Sequence, residues 1–316
     1  MRPLPGGRAG GLVAVLVALV AGMSAASPWF LTADNLLGLA RHLAEVGIIA
    51  CGMTLVIATG GIDLSVGSVF GLAGIAFGYT WQAAGLGPAI AVGLVAGMGA
   101  GSVNGLLITR WRLPPLIVTL ATMALFRGAA MVVSRAQPVS GLPAGFAWLG
   151  QGEWLGLPVQ LWLWAAAVAA AAAVTERTSL GRYARALGDS ERAAVFAGVA
   201  ADRVKVALYA GTGLLCATAA LVFSARVSTA RADAGTGLEL EVITAVVLGG
   251  TPITGGRAHP LGSLAGVLIL GVVRNGFTLA GISTVWQSML AGLILIAAAM
   301  LNQRLAASRL PRRPDA

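Results

Sequence analysis

Asp63 is the side chain in this sequence whose surroundings most suggest chemistry. It lies in the stretch TGGIDLSVGSVFGLAG (59–74), directly after two glycines and between two apolar runs. An ionisable group inside a membrane-spanning segment is costly and indicates a functional site, for example a step in a proton relay. Such a relay usually needs several buried acids, and Asp63 stands alone in its part of the sequence.

Three other roles fit Asp63. If one helix ends at the glycine pair and the next begins with LSVGSVFGLAG, Asp63 lies where an N-cap belongs. Its carboxylate would then accept hydrogen bonds from the N–H groups of Ser65 or Val66 and face the positive end of the helix dipole. The alternatives are a salt bridge to Arg127 or Arg274 and direct contact with a transported solute.

Other charges are rare within the apolar runs. Arg41 and Glu45 lie about one helical turn apart, which predicts an ion pair near the external face. Arg127 and Arg274 are the remaining cases. Pairing, or snorkelling of the long side chains to the membrane surface, explains Arg41, Glu45 and Arg274 at least as well as a functional role.

Several classes of chemistry have no motif in this sequence. His42 and His259 are isolated, and Cys51 and Cys216 both lie in apolar runs without metal-ligand spacing. The phosphate-binding pattern GxxxxGKS or GxxxxGKT does not occur. We therefore expect no catalytic residue, no metal site and no nucleotide hydrolysis by this chain itself.

Membrane helices must position these residues. The chain is 57% hydrophobic and 10% charged, whereas a soluble domain carries about 25% charged residues. The net charge of +9 comes from basic residues in short segments between apolar runs, where they orient a membrane protein instead of forming a nucleic-acid surface. The sequence therefore predicts an all-α polytopic protein of the lipid bilayer, with no nucleic-acid partner.

The apolar runs predict about ten transmembrane helices with both termini in the cytoplasm. The first span imitates a signal peptide, but arginines at both ends of the chain favour an uncleaved helix. One permease domain would cover 1–316, with cytoplasmic tails at 1–10 and 303–316. The ten spans are 11–27, 43–60, 64–83, 87–108, 115–134, 158–175, 204–225, 240–254, 261–280 and 284–302.

Two of these helices are expected to break, at Gly60-Gly61 and at Gly249-Gly250. Non-helical backbone within a membrane is tolerated only where it is buried in protein or lines a cavity, and transporters often place their pathways there. A polar Asn-Gly pair follows each break, which hints at an internal repeat. The translocation candidates are Gly60, Gly61, Asp63, Ser65, Asn104, Gly249, Gly250 and Asn275.

Glycine spacing in the span 87–108 predicts close helix packing. Gly93, Gly97, Gly101 and Gly105 recur every four residues, so they share one helix face. Such a face lets another helix approach closely in lipid.

Two connections are long. The external loop 137–157 is rich in Gly and Pro, and its tryptophans suit a membrane interface or a docking surface. The segment 176–203 contains good helix formers interrupted near Gly188-Asp189. It predicts a cytoplasmic helical element that meets another protein, with a plain connecting loop as the alternative.

Three stretches together resemble the ribose-type sugar permeases of bacterial ABC importers, within the branched-chain amino acid/ribose permease superfamily. They are VIATGGIDLSVGSVFGLAG (56–74), GRYARALGDSERAAVFAGV (181–199) and ELEVITAVVLGGTPITGGRAHPLGSLAGVLILGVVRNG (239–276). They occur in the family's order, and the resemblance extends over residues 35–302. The resemblance implies a multi-pass permease of the bacterial inner membrane that imports a monosaccharide or related polyol by alternating access.

The same resemblance implies three partners. These are a cytoplasmic ABC ATPase that binds ATP-Mg, a periplasmic sugar-binding protein, and a second permease subunit that is either identical or a paralogue; this chain would bind no cofactor. By position, 176–203 is similar to the family's ATPase-coupling segment, with matches at Arg185, Gly188, Glu191, Arg192 and Gly198.

The sequence departs from the family pattern at Gly188-Asp189-Ser190 and at Arg257-Ala258-His259-Pro260. The rival functions are an ion-coupled secondary sugar transporter with Asp63 as the coupling group, an ABC permease for another small solute such as an amino acid, and a membrane scaffold without transport. A coupling segment and two broken helices argue against the scaffold.

Overall fold

The computed structural model describes the backbone of residues 6–283, 286–287, 289, 292–297 and 300. Helices dominate this part of the chain, and the only strands in it are two pairs of two-residue strands. The helices with defined bounds are α1 (Gly6–Ala26), α2 (Ala33–Ala58), α3 (Val66–Ala84), α4 (Leu86–Arg110), α5 (Pro115–Ser134), α6 (Ala144–Gln151), α7 (Val159–Arg177), α8 (Ser179–Phe196), α9 (Ala201–Val227), α10 (Leu238–Leu248) and α11 (Pro260–Leu279).

The short strands lie in the connections of the predicted external side. β1 (Val139–Ser140) pairs antiparallel with β4 (Thr229–Ala230), and β2 (Glu153–Trp154) pairs antiparallel with β3 (Leu157–Pro158). The first pair ties the loop 137–157 to the connection between α9 and α10.

Helix α2 is the centre of the fold. Every residue from Leu43 to Ala58 is buried, and α2 packs against α7, α8, α9, α10 and α11. A helix that is apolar on all sides is stable only when protein or lipid surrounds it completely. The break that ends α2 is therefore held from several directions.

The glycine face of α4 packs against α9, as its spacing predicts. A Cβ on Gly97 would lie 2.5 Å from the carbonyl oxygen of Gly213, and a Cβ on Gly101 would clash with the carbonyl of Tyr209. A Cβ on Gly105 would lie 2.7 Å from the Cα of Val206. The two backbones are in contact along three turns, so α4 and α9 form one rigid pair.

The prediction of about ten transmembrane helices is wrong. Six helices in the described part of the chain are long and apolar enough to cross a membrane: α2, α4, α5, α7, α9 and α11. The all-α multi-pass class is confirmed. Six alternating spans, like ten, place both termini on the same side of the membrane, and their assignment to the cytoplasm stays a prediction.

The excess spans have identifiable causes. The predicted span 240–254 is α10, whose 11 residues reach about 16 Å, or half of a hydrocarbon core. The span 64–83 is α3, which is long enough to cross a membrane, but its glycine and polar residues lower its mean hydropathy. The span 11–27 is the short apolar part of α1. The structure describes the span 284–302 only in part, at 286–287, 289, 292–297 and 300.

Candidate translocation and coupling site

Asp63 is buried at the break between α2 and α3, with 2% of its surface exposed. Its Oδ1 accepts hydrogen bonds from the Ser65 N–H at 2.9 Å and from the Ser65 hydroxyl at 2.6 Å. Asn104 of α4 donates to the Ser65 hydroxyl at 2.7 Å. The N-cap of α3 is Ser65, so Asp63 stabilises the turn that precedes the helix instead of capping it directly.

Neither arginine proposed as a partner of Asp63 reaches it. Arg127 donates to the carbonyls of Ala232 and Ala234 at 2.7 and 2.8 Å, and Arg274 pairs with Glu241. Among the described residues Asp63 forms no salt bridge. The salt-bridge alternative is therefore wrong, and the carboxylate is held by hydrogen bonds alone.

The two glycines before Asp63 have different roles. Gly60 has φ +81°, a left-handed conformation that favours glycine, and it ends α2. Gly61 has no positive φ. Its lack of a side chain matters for space instead, because a Cβ there would lie 2.7 Å from the Tyr209 hydroxyl of α9.

The second break has the same outline but different neighbours. Helix α10 ends before Gly249, whose backbone packs directly on Gly262 of α11, and Gly250 has φ +97°. Asn275 lies elsewhere: it forms a reciprocal amide pair with Asn35, at 3.0 and 2.7 Å. The structure therefore brings Asn104 to the first break but leaves Asn275 as a link between α2 and α11.

The predicted coupling segment contacts the first break and the loop that follows the second break. Helix α8 contains a non-helical residue, Ser190 (φ −163°, ψ 105°), next to the interruption that the sequence predicts. Just before it, a Cβ on Gly188 would clash with the carbonyl of Ala58 and with the nitrogen of Gly256. The Gly256 N–H donates to the Ala58 carbonyl at 3.0 Å, which satisfies a free carbonyl at the end of α2.

Gly255 completes this contact. It has φ +87°, and a Cβ on it would lie 2.7 Å from the nitrogen of Gly60 and 2.9 Å from the Cα of Gly188. We call Gly60, Gly188, Gly255 and Gly256 the glycine junction. It joins α8, the end of α2 and the loop after α10 by backbone contact. The glycine pairs in the sequence indicated the two breaks separately, but not that these segments meet.

The other predicted coupling residues lie around this junction. Arg185 is half-buried, Arg192 is exposed, and Glu191 pairs with Lys205 of α9 at 2.6 Å. Gly198 has φ +86° and follows the C-cap of α8. Phe196 is 92% exposed, so α8 presents an aromatic side chain at its open end.

The predicted ion pair between Arg41 and Glu45 does not form. Glu45, which is 3% exposed, pairs with Arg226 of α9 through two hydrogen bonds of 2.7 and 3.1 Å. Arg41 instead pairs with Glu153 at 3.3 Å. Sequence spacing missed both partners because they come from distant segments.

We expect Arg226→Met to destabilise the protein more than Glu45→Gln. The first change leaves a buried carboxylate without a cation, whereas the second leaves a partly exposed arginine that water can reach. The loss for Arg226→Met should be about 1–3 kcal/mol, and thermal unfolding of both purified variants measures it. Equal losses of stability in the two variants would contradict the prediction that the buried carboxylate of Glu45 depends more on its partner than Arg226 does.

Comparison with known proteins agrees with these features. A sequence profile of the family described as "Branched-chain amino acid transport system / permease component" matches residues 35–299. The ribose import permease protein RbsC of Bacillus subtilis (strain 168) is 40% identical over 293 residues, which cover 92% of this chain and 91% of that protein. RbsC of Escherichia coli (strain K12) is 38% identical over 298 residues, covering 93% and 92%.

A relative with a different printed substrate is nearly as similar. The L-arabinose ABC transporter permease protein AraH of Azospirillum brasilense is 36% identical over 294 residues, covering 93% of this chain and 87% of that protein. No solved structure matches significantly. The family and the six apolar helices identify a multi-pass protein of the bacterial inner membrane. The chain belongs to the family of permease components of branched-chain amino acid transport systems, and within it to the ribose-type permease subunits of ABC importers.

Proposed function

We propose that this chain forms the translocation pathway for a monosaccharide or related polyol in an ATP-driven importer. The substrate class rests on the relatives, whose printed names are ribose and arabinose permeases. The chain itself would act as a transport subunit without covalent chemistry and without a cofactor of its own. ATP-Mg would bind to a separate ATPase.

The glycine junction is the observation that carries the mechanism. Backbone-to-backbone contacts leave no flexible side chain between α8, the end of α2 and the loop after α10, and close-packed interiors transmit displacement. A rigid-body movement of α8 would therefore reach α2 and the loop after α10 together. This supports 176–203 as the segment on which a cytoplasmic ABC ATPase docks.

The transport cycle then follows alternating access. A periplasmic sugar-binding protein would dock on the external side, where β1 and β4 tie the loop 137–157 to the connection between α9 and α10. ATP would close the ATPase dimer, α8 would move, and the helices around the breaks would rock. A second permease subunit, identical or a paralogue, would form the other wall of the pathway.

Energy coupling can be tested directly. The chain is reconstituted in liposomes with its ATPase and binding protein, and uptake of labelled D-ribose is measured with ATP or with a proton gradient alone. We expect uptake only with ATP, and none with a catalytically inactive ATPase. Robust ribose flux driven by the proton gradient without any ATPase would instead support the secondary-transporter hypothesis.

Substrate class can be tested in the same system. Unlabelled L-arabinose should compete with D-ribose uptake, whereas unlabelled leucine should not. Uptake of labelled leucine, with no transport of ribose, would favour the amino-acid alternative.

A further inference from the structure

Two polar atoms beside the first break are buried without a hydrogen-bond partner. They are Oδ1 of Asn104, a residue with 0% exposure, and the hydroxyl oxygen of Tyr209, a residue with 1% exposure. Buried polar side chains nearly always have a partner, because an unpaired group loses its hydration and gains nothing. Neither the hydrogen bonds of the break nor the glycine junction accounts for these two atoms.

Both atoms border the same short turn, 61–65. Tyr209 reaches it from α9, where its hydroxyl lies 2.7 Å from the position of a Cβ on Gly61. Asn104 reaches it from α4, where its amide donates to the Ser65 hydroxyl. The two helices touch at this level, since a Cβ on Gly101, one turn from Asn104, would clash with the Tyr209 carbonyl.

Gly61 lets the turn pack closely against Tyr209. Its backbone does not require glycine, because its φ is not positive. A methyl group there would lie 2.7 Å from the Tyr209 hydroxyl and 3.4 Å from the hydroxyl of Thr59. The glycine therefore allows the backbone of the turn to come close to a hydroxyl that has no partner.

We propose that Tyr209 and Asn104 bind a neutral hydroxyl group, which accepts a hydrogen bond from Tyr209 and donates one to Asn104 Oδ1. An anion is disfavoured because the Asp63 carboxylate lies on the same turn. A metal ion is disfavoured because the described residues contain no cluster of three metal-ligating side chains. The hydroxyl belongs either to a bound water or to the sugar in transit, and only the second source rests on the proposed function.

Such a site suits a transport pathway. Two neutral hydrogen bonds give weak binding, so a sugar hydroxyl could replace water and then leave again. The site would orient one hydroxyl of the solute at the break without slowing its release.

Tyr209→Phe tests the proposal because it removes only the hydroxyl, and Gly61→Ala places a methyl group against that hydroxyl. Tyr79→Phe is the matched control, since Tyr79 is 38% exposed on α3. For each full-length variant, thermal unfolding and ATP-driven uptake are measured with D-ribose and its monodeoxy analogues.

A sugar hydroxyl predicts that Tyr209→Phe slows D-ribose uptake about three- to tenfold without lowering the unfolding midpoint. The preference for D-ribose over one deoxy analogue should then shrink, and Gly61→Ala should add little to Tyr209→Phe. If the hydroxyl belongs to a bound water, Tyr209→Phe should lower the unfolding midpoint and slow the uptake of all the sugars equally. The proposal is overturned if Tyr209→Phe matches the Tyr79→Phe control in both measurements. If the wild type does not transport ribose, the same comparison is made with labelled L-arabinose and its deoxy analogues, and a match to the control in both measurements again overturns the site.

Discussion

Gly188→Val is expected to abolish ATP-driven uptake, with a loss of about 100-fold or more. The new side chain would occupy the space of the Ala58 carbonyl and the Gly256 nitrogen, so α8 could not keep its contact with the end of α2 and the loop after α10. The Gly256–Ala58 hydrogen bond would be lost with it, leaving a helix-end carbonyl unpaired. Uptake of labelled D-ribose in the reconstituted importer measures the effect.

Gly99→Val is the matched control for this experiment. Gly99 is exposed on α4 and a Cβ there meets no heavy atom of the described residues within 4 Å, so the same added side chain should be tolerated. Copurification of the ATPase with each variant separates failed docking from failed transmission. Normal uptake by Gly188→Val would show that the junction does not transmit the movement of α8.

Features that depend on nearby residues could be predicted from the sequence. The four-residue spacing of glycines gave the packing face of α4, and the Gly-Gly pairs gave the ends of α2 and α10. Asp63 as the acceptor of the Ser65 N–H also follows from local spacing, although the helix begins two residues later than an N-cap at Asp63 requires. These are interactions within one helix, one turn or one helix face.

Features that depend on which helices are neighbours could not be predicted. Glu45 and Arg226 are 181 residues apart, whereas Arg41 lies within one turn of Glu45 and still pairs elsewhere. The glycine junction likewise combines three separate segments. The number of spans failed for another reason: apolar composition alone does not distinguish a spanning helix from a short buried one such as α10.

Asp63→Leu is expected to prevent assembly, whereas Asp63→Asn should retain most of the transport activity. An asparagine Oδ1 can accept the same two hydrogen bonds from Ser65, but leucine leaves the Ser65 N–H and hydroxyl unpaired in a buried site. Each unpaired group costs about 1–3 kcal/mol, so the combined loss is a large part of a typical folding free energy. The amount of protein in the membrane, its unfolding midpoint and D-ribose uptake are the measurements.

Asp34→Leu provides the matched control, because Asp34 is exposed in the first turn of α2 and should tolerate the change. The decisive comparison is between assembly and transport in Asp63→Asn. If this variant assembles normally and does not transport, the negative charge itself is needed, and a purely structural role for Asp63 is insufficient. Retained transport instead assigns Asp63 to the construction of the break, since an isosteric neutral acceptor can then replace the carboxylate at no cost to the cycle.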